Sequence, residues 1–217
     1  MKGVKAILLA AGSGERFGDP VPKQFHELGD KPLYRHSYDI LTSSNLFEEI
    51  IVVCHPDWTQ QLDIPTVRGG TTRQESVYLG LVAAGADTEI VVIHDAVRPF
   101  VTHQILQANI EAARAYGACD TCIPSADTLV TTQNGQTITE IPDRSHMRRG
   151  QTPQSFQYPV ILEAHHQATS TTATDDCQLV LNIDHPVHII DGHDHNIKVT
   201  TPIDWELAKL LLQKETV

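Results

Sequence analysis

Residues 8–25, LLAAGSGERFGDPVPKQF, join an apolar run to a glycine-rich stretch and then to two cations, Arg16 and Lys23. Gly12, Gly14 and Gly18 let the backbone turn sharply and present N–H groups, and Pro20 and Pro22 stiffen the chain between the cations. Backbone donors flanked by an arginine and a lysine suit a run of phosphates, a triphosphate above all. The spacing GxGxxxG is one residue longer than the dinucleotide fingerprint, and the GKS or GKT that closes a P-loop is missing. Other chemistry-bearing types are weaker. Cys119 and Cys122 form one CxxC, but their flanks read as a strand, where positions three apart face opposite ways, against a redox or zinc pair. His193-Asp194-His195 lacks a third ligand at metal-binding spacing. Asp175-Asp176 reads as a helix N-terminal cap, and His94 as a residue that orients a strand end.

These residues need a frame to hold them. AILLAA (6–11), EEIIVVCH (48–55) and EIVVIHDA (89–96) are continuous apolar runs, as parallel strands covered on both faces require. Helical stretches separate them: PLYRHSYDILTSS, TRQESVYLGLVAAGA and HQILQANIEAARAYG. The alternation predicts an α/β fold, a Rossmann-like three-layer α/β/α arrangement with a mostly parallel doubly wound sheet. Ligands of such sheets sit beyond the carboxyl ends of the strands, where AAGSGER and HDAVRPF fall. TLVTTQNGQTITEI (128–141) alternates around Asn134-Gly135 and predicts a protruding β-hairpin arm. Such an arm is marginal alone and should pack on something, most economically a twin subunit. A helix near VILEAHHQA, the segment TDDCQLVLN, a strand HPVHIID and a short strand IKVTT follow. A last helix is capped by Thr201, with Pro202 in its first position and Asp204 completing a capping box. We expect one domain over residues 1–217, with the arm at about 126–150.

The chain has 217 residues, 41% hydrophobic, and a formal net charge of −11. Nucleic acid and anionic membranes both reward a basic surface, so neither is expected as a partner. No apolar run approaches membrane-span length, and MKGVKAILLAAG lacks the long apolar core of a leader, so the expected location is cytoplasmic. Four scattered cysteines agree with a reducing compartment.

Beyond these readings, AAGSGERFG with PKQF, GGTTRQESVYLGL, HDAVRPF, the ADT of IPSADTLV, DR followed by QTPQSF, TDD and NIKVTTP occur in one order along nearly the whole chain. In this the sequence resembles the cytidylyltransferases of linear polyol phosphates: 2-C-methyl-D-erythritol 4-phosphate cytidylyltransferases and ribitol-5-phosphate cytidylyltransferases. The resemblance implies that Ala10, Ala11 and Gly12, with Ser13 and Gly14 in the same loop, line the CTP, while Arg16 and Lys23 hold its triphosphate. It implies that Gly70, Thr71 and Ser76 select cytosine with Arg73 alongside, and that Asp95 holds magnesium. Arg98, Thr128, Arg144 and Thr174 fall on positions that contact the polyol phosphate, and Lys198 reaches the reacting phosphates. Arg144 belongs to the arm, so a homodimer would bring it across the interface.

The implied chemistry suits these residue types. A phosphate monoester has a second pKa near 6 and is largely dianionic at neutral pH, so no general base is needed. The work left is to hold two anions together and neutralise the charge that builds, a task for arginine, lysine and magnesium. A glycosyltransferase would want a DxD at a strand end, which Asp191-Gly192-His193-Asp194 does not supply, and a non-catalytic CTP sensor would bind without releasing pyrophosphate. For the acceptor, methylerythritol phosphate, of non-mevalonate isoprenoid biosynthesis, is the leading expectation because that pathway is the more widespread. Val97 before Arg98, the lack of a lysine after Asp127-Thr128, and NGQTITEIPDRSHMRRGQTPQSF lean instead to ribitol phosphate, for cell-wall or surface polymers.

Overall fold

The three apolar runs form neighbouring strands of one sheet in the computed structural model, which describes residues 1–12 and 17–215. They are β1 (Val4–Ala10), β4 (Glu49–Cys54) and β6 (Ile90–Asp95), with β1 pairing in parallel to both others. Two short strands, β2 (Glu27–Leu28) and β3 (Lys31–Pro32), make a separate ribbon after the glycine stretch. The main sheet is completed by β5 (Thr66–Arg68), β7 (Ala118–Pro124), β10 (Arg148–Gln157) and β11 (His188–Asp191), in the order β11-β7-β10-β6-β1-β4-β5. β10 alone runs antiparallel to its neighbours, inserted between β6 and β7.

Side-chain parity along the strands separates two apolar layers. From β1, Ala6, Leu8 and Ala10 face α1 (Leu33–Ser43) and α3 (His103–Tyr116), whereas Ile7 faces α2 (Arg73–Ala84), α4 (Tyr158–Gln167) and α5 (Asp176–Leu181). β6 repeats the split, with Val92 on one side and Val91 and Ile93 on the other. Each such buried aliphatic chain contributes roughly 1.5–3 kcal/mol relative to exposure. Gly80 lets α2 lie against β1, since a Cβ there would stand 2.8 Å from Ile7. A third cluster, Leu28, Leu33, Val97, Phe100 and Val199, is closed by Ala208 and Leu211 of α6 (Pro202–Glu215). That helix has the expected box: Thr201 N–H donates to Asp204 Oδ2 at 2.7 Å, and Asp204 N–H to Thr201 Oγ1 at 3.3 Å.

Two details differ from expectation. IKVTT is not a strand. Its backbone is committed to the loop after β6, where Val199 N–H donates to Val97 C=O at 2.9 Å, and no ladder forms. The hairpin lies where Asn134-Gly135 put it, but β8 (Thr131–Thr132) and β9 (Ile138–Glu140) are short and joined by a longer loop than a two-residue turn. Asn134 explains this, because its Oδ1 accepts from Gln136 and Thr137 N–H, both at 2.9 Å, and turns the chain through its side chain. Leu129, Val130, Ile138 and Ile141 of the arm are exposed.

Candidate active site

The carboxyl ends of β1 and β6, the loop after β5 and the first turn of α2 surround a cavity of about 630 Å³. Ala10, Ala11, Gly12, Lys23, Gly70, Thr71, Arg73, Ser76, Asp95 and Lys198 all line it. Arg98 is buried behind Asp95, its Nε 3.6 Å from Asp95 Oδ2. Thr174 is exposed, just before Asp175, the residue that caps α5 by accepting from Cys177 N–H at 2.8 Å. Thr128 and Arg144 lie on the exposed arm and do not line this cavity within one chain; Arg144 flanks a separate groove and donates to Ala126 C=O. Ser13, Gly14 and Arg16 lie outside the described residues.

Asp95 is the electrostatic centre. Burial alone would raise its pKa, but Lys198, with Nζ 2.9 Å from Oδ2, then Arg98 and Arg73, hold the carboxyl well below its usual range. Its backbone N–H donates to Thr152 Oγ1 at 3.0 Å, and the Thr152 hydroxyl then donates to His94 Nδ1 at 3.0 Å. His94 Nε2 is left to donate to Arg98 C=O at 3.1 Å, which fixes one neutral tautomer. His94 thus orients the strand end, as expected from sequence. Arg73 faces inward as well, with Nη1 2.7 Å from Asp176 Oδ2. Burial opposes its charge, yet Asp176 and then Asp95 raise its pKa.

Local chemistry shapes the nucleotide side. Gly70 N–H donates to Ser76 Oγ at 3.1 Å, and Thr71 donates through N–H and Oγ1 to Glu75 Oε2 at 2.7 and 2.8 Å. A side chain at Gly70 would collide with Glu75, so the loop needs glycine there. Sequence reasoning missed Gln24, whose Nε2 donates to both Ala10 and Gly12 C=O at 2.8 Å and pins the glycine stretch. It also missed Asn196, which donates to Thr152 C=O at 2.8 Å while its own C=O accepts from Arg98 Nη1 at 2.8 Å. Gln24 adjoins Lys23 in KQF and Asn196 stands two residues before Lys198 in NIK, and that proximity was the available signal.

The family model for 2-C-methyl-D-erythritol 4-phosphate cytidylyltransferase matches residues 4–214. The chain belongs to this family. A ribitol-5-phosphate cytidylyltransferase from Lactiplantibacillus plantarum is 35% identical, over 98% of this chain and 100% of that one. Among solved structures, the 4-diphosphocytidyl-2C-methyl-D-erythritol synthase of Anaerococcus prevotii superposes with TM-score 0.83 at 30% identity, over 98% of this chain and 96% of that one. The 2-C-methyl-D-erythritol 4-phosphate cytidylyltransferase of Thermus thermophilus gives TM-score 0.79 at 30% identity, over 95% and 98%. The chain is therefore a nucleotidyltransferase of the cytidylyltransferase kind, acting on CTP and a polyol phosphate.

A buried histidine and a partly buried carboxyl, on the two sides of β10, titrate in opposite senses. Burial pushes His94 down to about 4, below its unfolded value of about 6.5, so acidification through that window favours the unfolded chain. Burial, with Asp175 adding to it, pushes Asp120 up to about 6; the folded state then keeps a proton the unfolded state has lost, and this contribution falls as pH rises from about 4 to 6. The two offset each other. Asp120→Asn removes one, so its stability, read by denaturant unfolding, should lose ~2 kcal/mol more than the wild type between pH 6 and 4. Parallel profiles for the two proteins would refute the assignment.

Proposed function

We propose that the chain transfers CMP from CTP to D-ribitol 5-phosphate and releases pyrophosphate, giving CDP-ribitol. The observation that carries this acceptor is the 35% identity, over nearly the full length of both chains, to a ribitol-5-phosphate cytidylyltransferase. The second reading, 2-C-methyl-D-erythritol 4-phosphate, is favoured by the description of the matching family model and by the solved structures.

In the proposed reaction an oxygen of the acceptor phosphate attacks the α-phosphorus of CTP. The new P–O bond forms as the bond to the bridging oxygen breaks, and pyrophosphate departs. Lys23 and Arg16 hold the triphosphate, Gly70, Thr71 and Ser76 meet the base, and Lys198 and Arg98 neutralise the acceptor phosphate. Arg98, buried with its Nε 3.6 Å from Asp95 Oδ2, adds a second positive charge behind that carboxylate. Asp95 fits a magnesium ion held by one carboxylate and substrate phosphates, because the described cations beside it approach Oδ2 and leave Oδ1 for the metal. Bound there, magnesium would supply charge neutralisation at the phosphates. Thr128 and Arg144 join the acceptor site from a second copy, whose arm would cover its exposed Leu129, Val130, Ile138 and Ile141 in the interface. A chain that sediments as a monomer at working concentration would remove that last element. Among the described residues no helix is long and apolar enough to cross a membrane, and a CTP-using enzyme of this kind belongs in the cytoplasm.

The test is pyrophosphate release with CTP, magnesium and each acceptor in turn. Ribitol 5-phosphate is expected to give a kcat/KM at least about 10²-fold above methylerythritol 4-phosphate, the discrimination expected when buried polar groups are left unpaired by the wrong substrate. The reverse preference would install the second reading. Release with neither would refute both.

A further inference from the structure

Four consecutive residues in the first turn of α2 divide their contacts in pairs. Glu75 and Ser76 bind the loop before the helix, through Thr71 and Gly70. Arg73 and Gln74 bind the opposite side, the 168–175 segment and the start of α5. Gln74, 5% exposed, grips that segment with both ends of its amide: Nε2 donates to Ser170 C=O at 2.7 Å, and Oε1 accepts from Ala173 N–H at 2.9 Å. A carbonyl on one side and an N–H on the other require a group that both donates and accepts, which an amide supplies and a carboxylate does not. Within the segment, Ser170 Oγ and Thr172 Oγ1 lie 2.8 Å apart, closing a small turn between the two contacts. Thr174 follows immediately.

We propose that Gln74 is a positioning residue that couples the two substrate sites, by fastening the 170–174 segment, and Thr174 with it, to the same helical turn that holds the base-recognition loop. Thr174 is an acceptor contact only on the function proposed above, and the coupling rests on that reading. The base loop is held separately, by Glu75 and Ser76, so the fastening by Gln74 acts on the acceptor side.

Gln74→Met keeps side-chain length and removes both hydrogen bonds, whereas Gln74→Glu keeps the acceptor to Ala173 N–H alone. Amide hydrogen exchange over residues 168–175 should accelerate in Gln74→Met. Its acceptor KM should rise about tenfold while its CTP KM stays within about twofold, with Gln74→Glu between the two proteins. Unchanged exchange in the segment, or both KM values rising together, would overturn the coupling. A wild-type enzyme that releases no pyrophosphate with either acceptor overturns the proposed function; an active wild type whose Gln74→Met variant keeps its acceptor KM overturns only the coupling.

Discussion

Lys198→Met and Lys23→Ala should each lower kcat by about 10²–10³-fold, the usual loss when one charge-stabilising donor is removed from a transition state. Lys23 is buried at the cavity wall, and Lys198 reaches in from the loop before α6 to stand 2.9 Å from Asp95. Two polyanions meeting in a protein of net charge −11 repel each other and their surroundings, so the local cations carry the neutralisation. The effects should differ in kind. Lys23→Ala removes a triphosphate contact present before and during reaction, so CTP KM should rise along with the fall in kcat. Lys198→Met also leaves Asp95 with Arg98 and Arg73 as its charge partners, so the protein should remain folded. Steady-state pyrophosphate release with CTP and acceptor varied separately measures both. Rates within a few fold of wild type would take either lysine out of the reacting centre.

Asp176→Ala should be the most destabilising single change at the site, costing about 3–5 kcal/mol, as removal of one partner from a buried ion pair does. The Asp176 side chain is 1% exposed and that of Arg73 24%, with 2.7 Å between them. His165 Nε2 stands 3.5 Å from the other carboxylate oxygen, so two polar side chains would lose their common partner. At about 2–4 °C per kcal/mol for a chain of this size, the melting temperature should fall by roughly 10 °C. Calorimetry of Asp176→Ala and Asp176→Asn separates lost shape from lost charge. A fall of only one or two degrees in both would mean that Arg73 re-pairs with Asp95 at little cost.

Much of the frame was legible because it is local. The runs ending at Ala10, Cys54 and Asp95 are strands since parallel strands buried on both faces must be apolar throughout, and Thr72 and Thr102 mark helix starts by the cap each makes. The cavity's place at the strand ends followed from the alternation itself. What escaped was non-local. Arg73 and Asp176, or Gln74 and Ser170, are about a hundred positions apart, and no periodicity reveals that they meet. Arg73 lines the cavity beside the loop of Gly70 and Thr71, and its pairing with Asp176 is the part no local pattern shows. The β-branched residues of IKVTT predict a strand, yet its backbone N–H groups donate to Val97, His195 and Asp204. QTPQSF gave no sign that β10 would enter the sheet against the direction of its neighbours, because strand direction leaves no trace in composition.

All four cysteines are free and buried, and burial pushes Cys54 up to about 11 and Cys119 and Cys122 to about 12, with Cys177 also raised. Thiolate, not thiol, reacts with alkylating and oxidising agents. The folded protein is thus deaf to such reagents, and the wild-type sequence carries its own reporter of global opening: sulfhydryl reactivity emerges when the sheet comes apart.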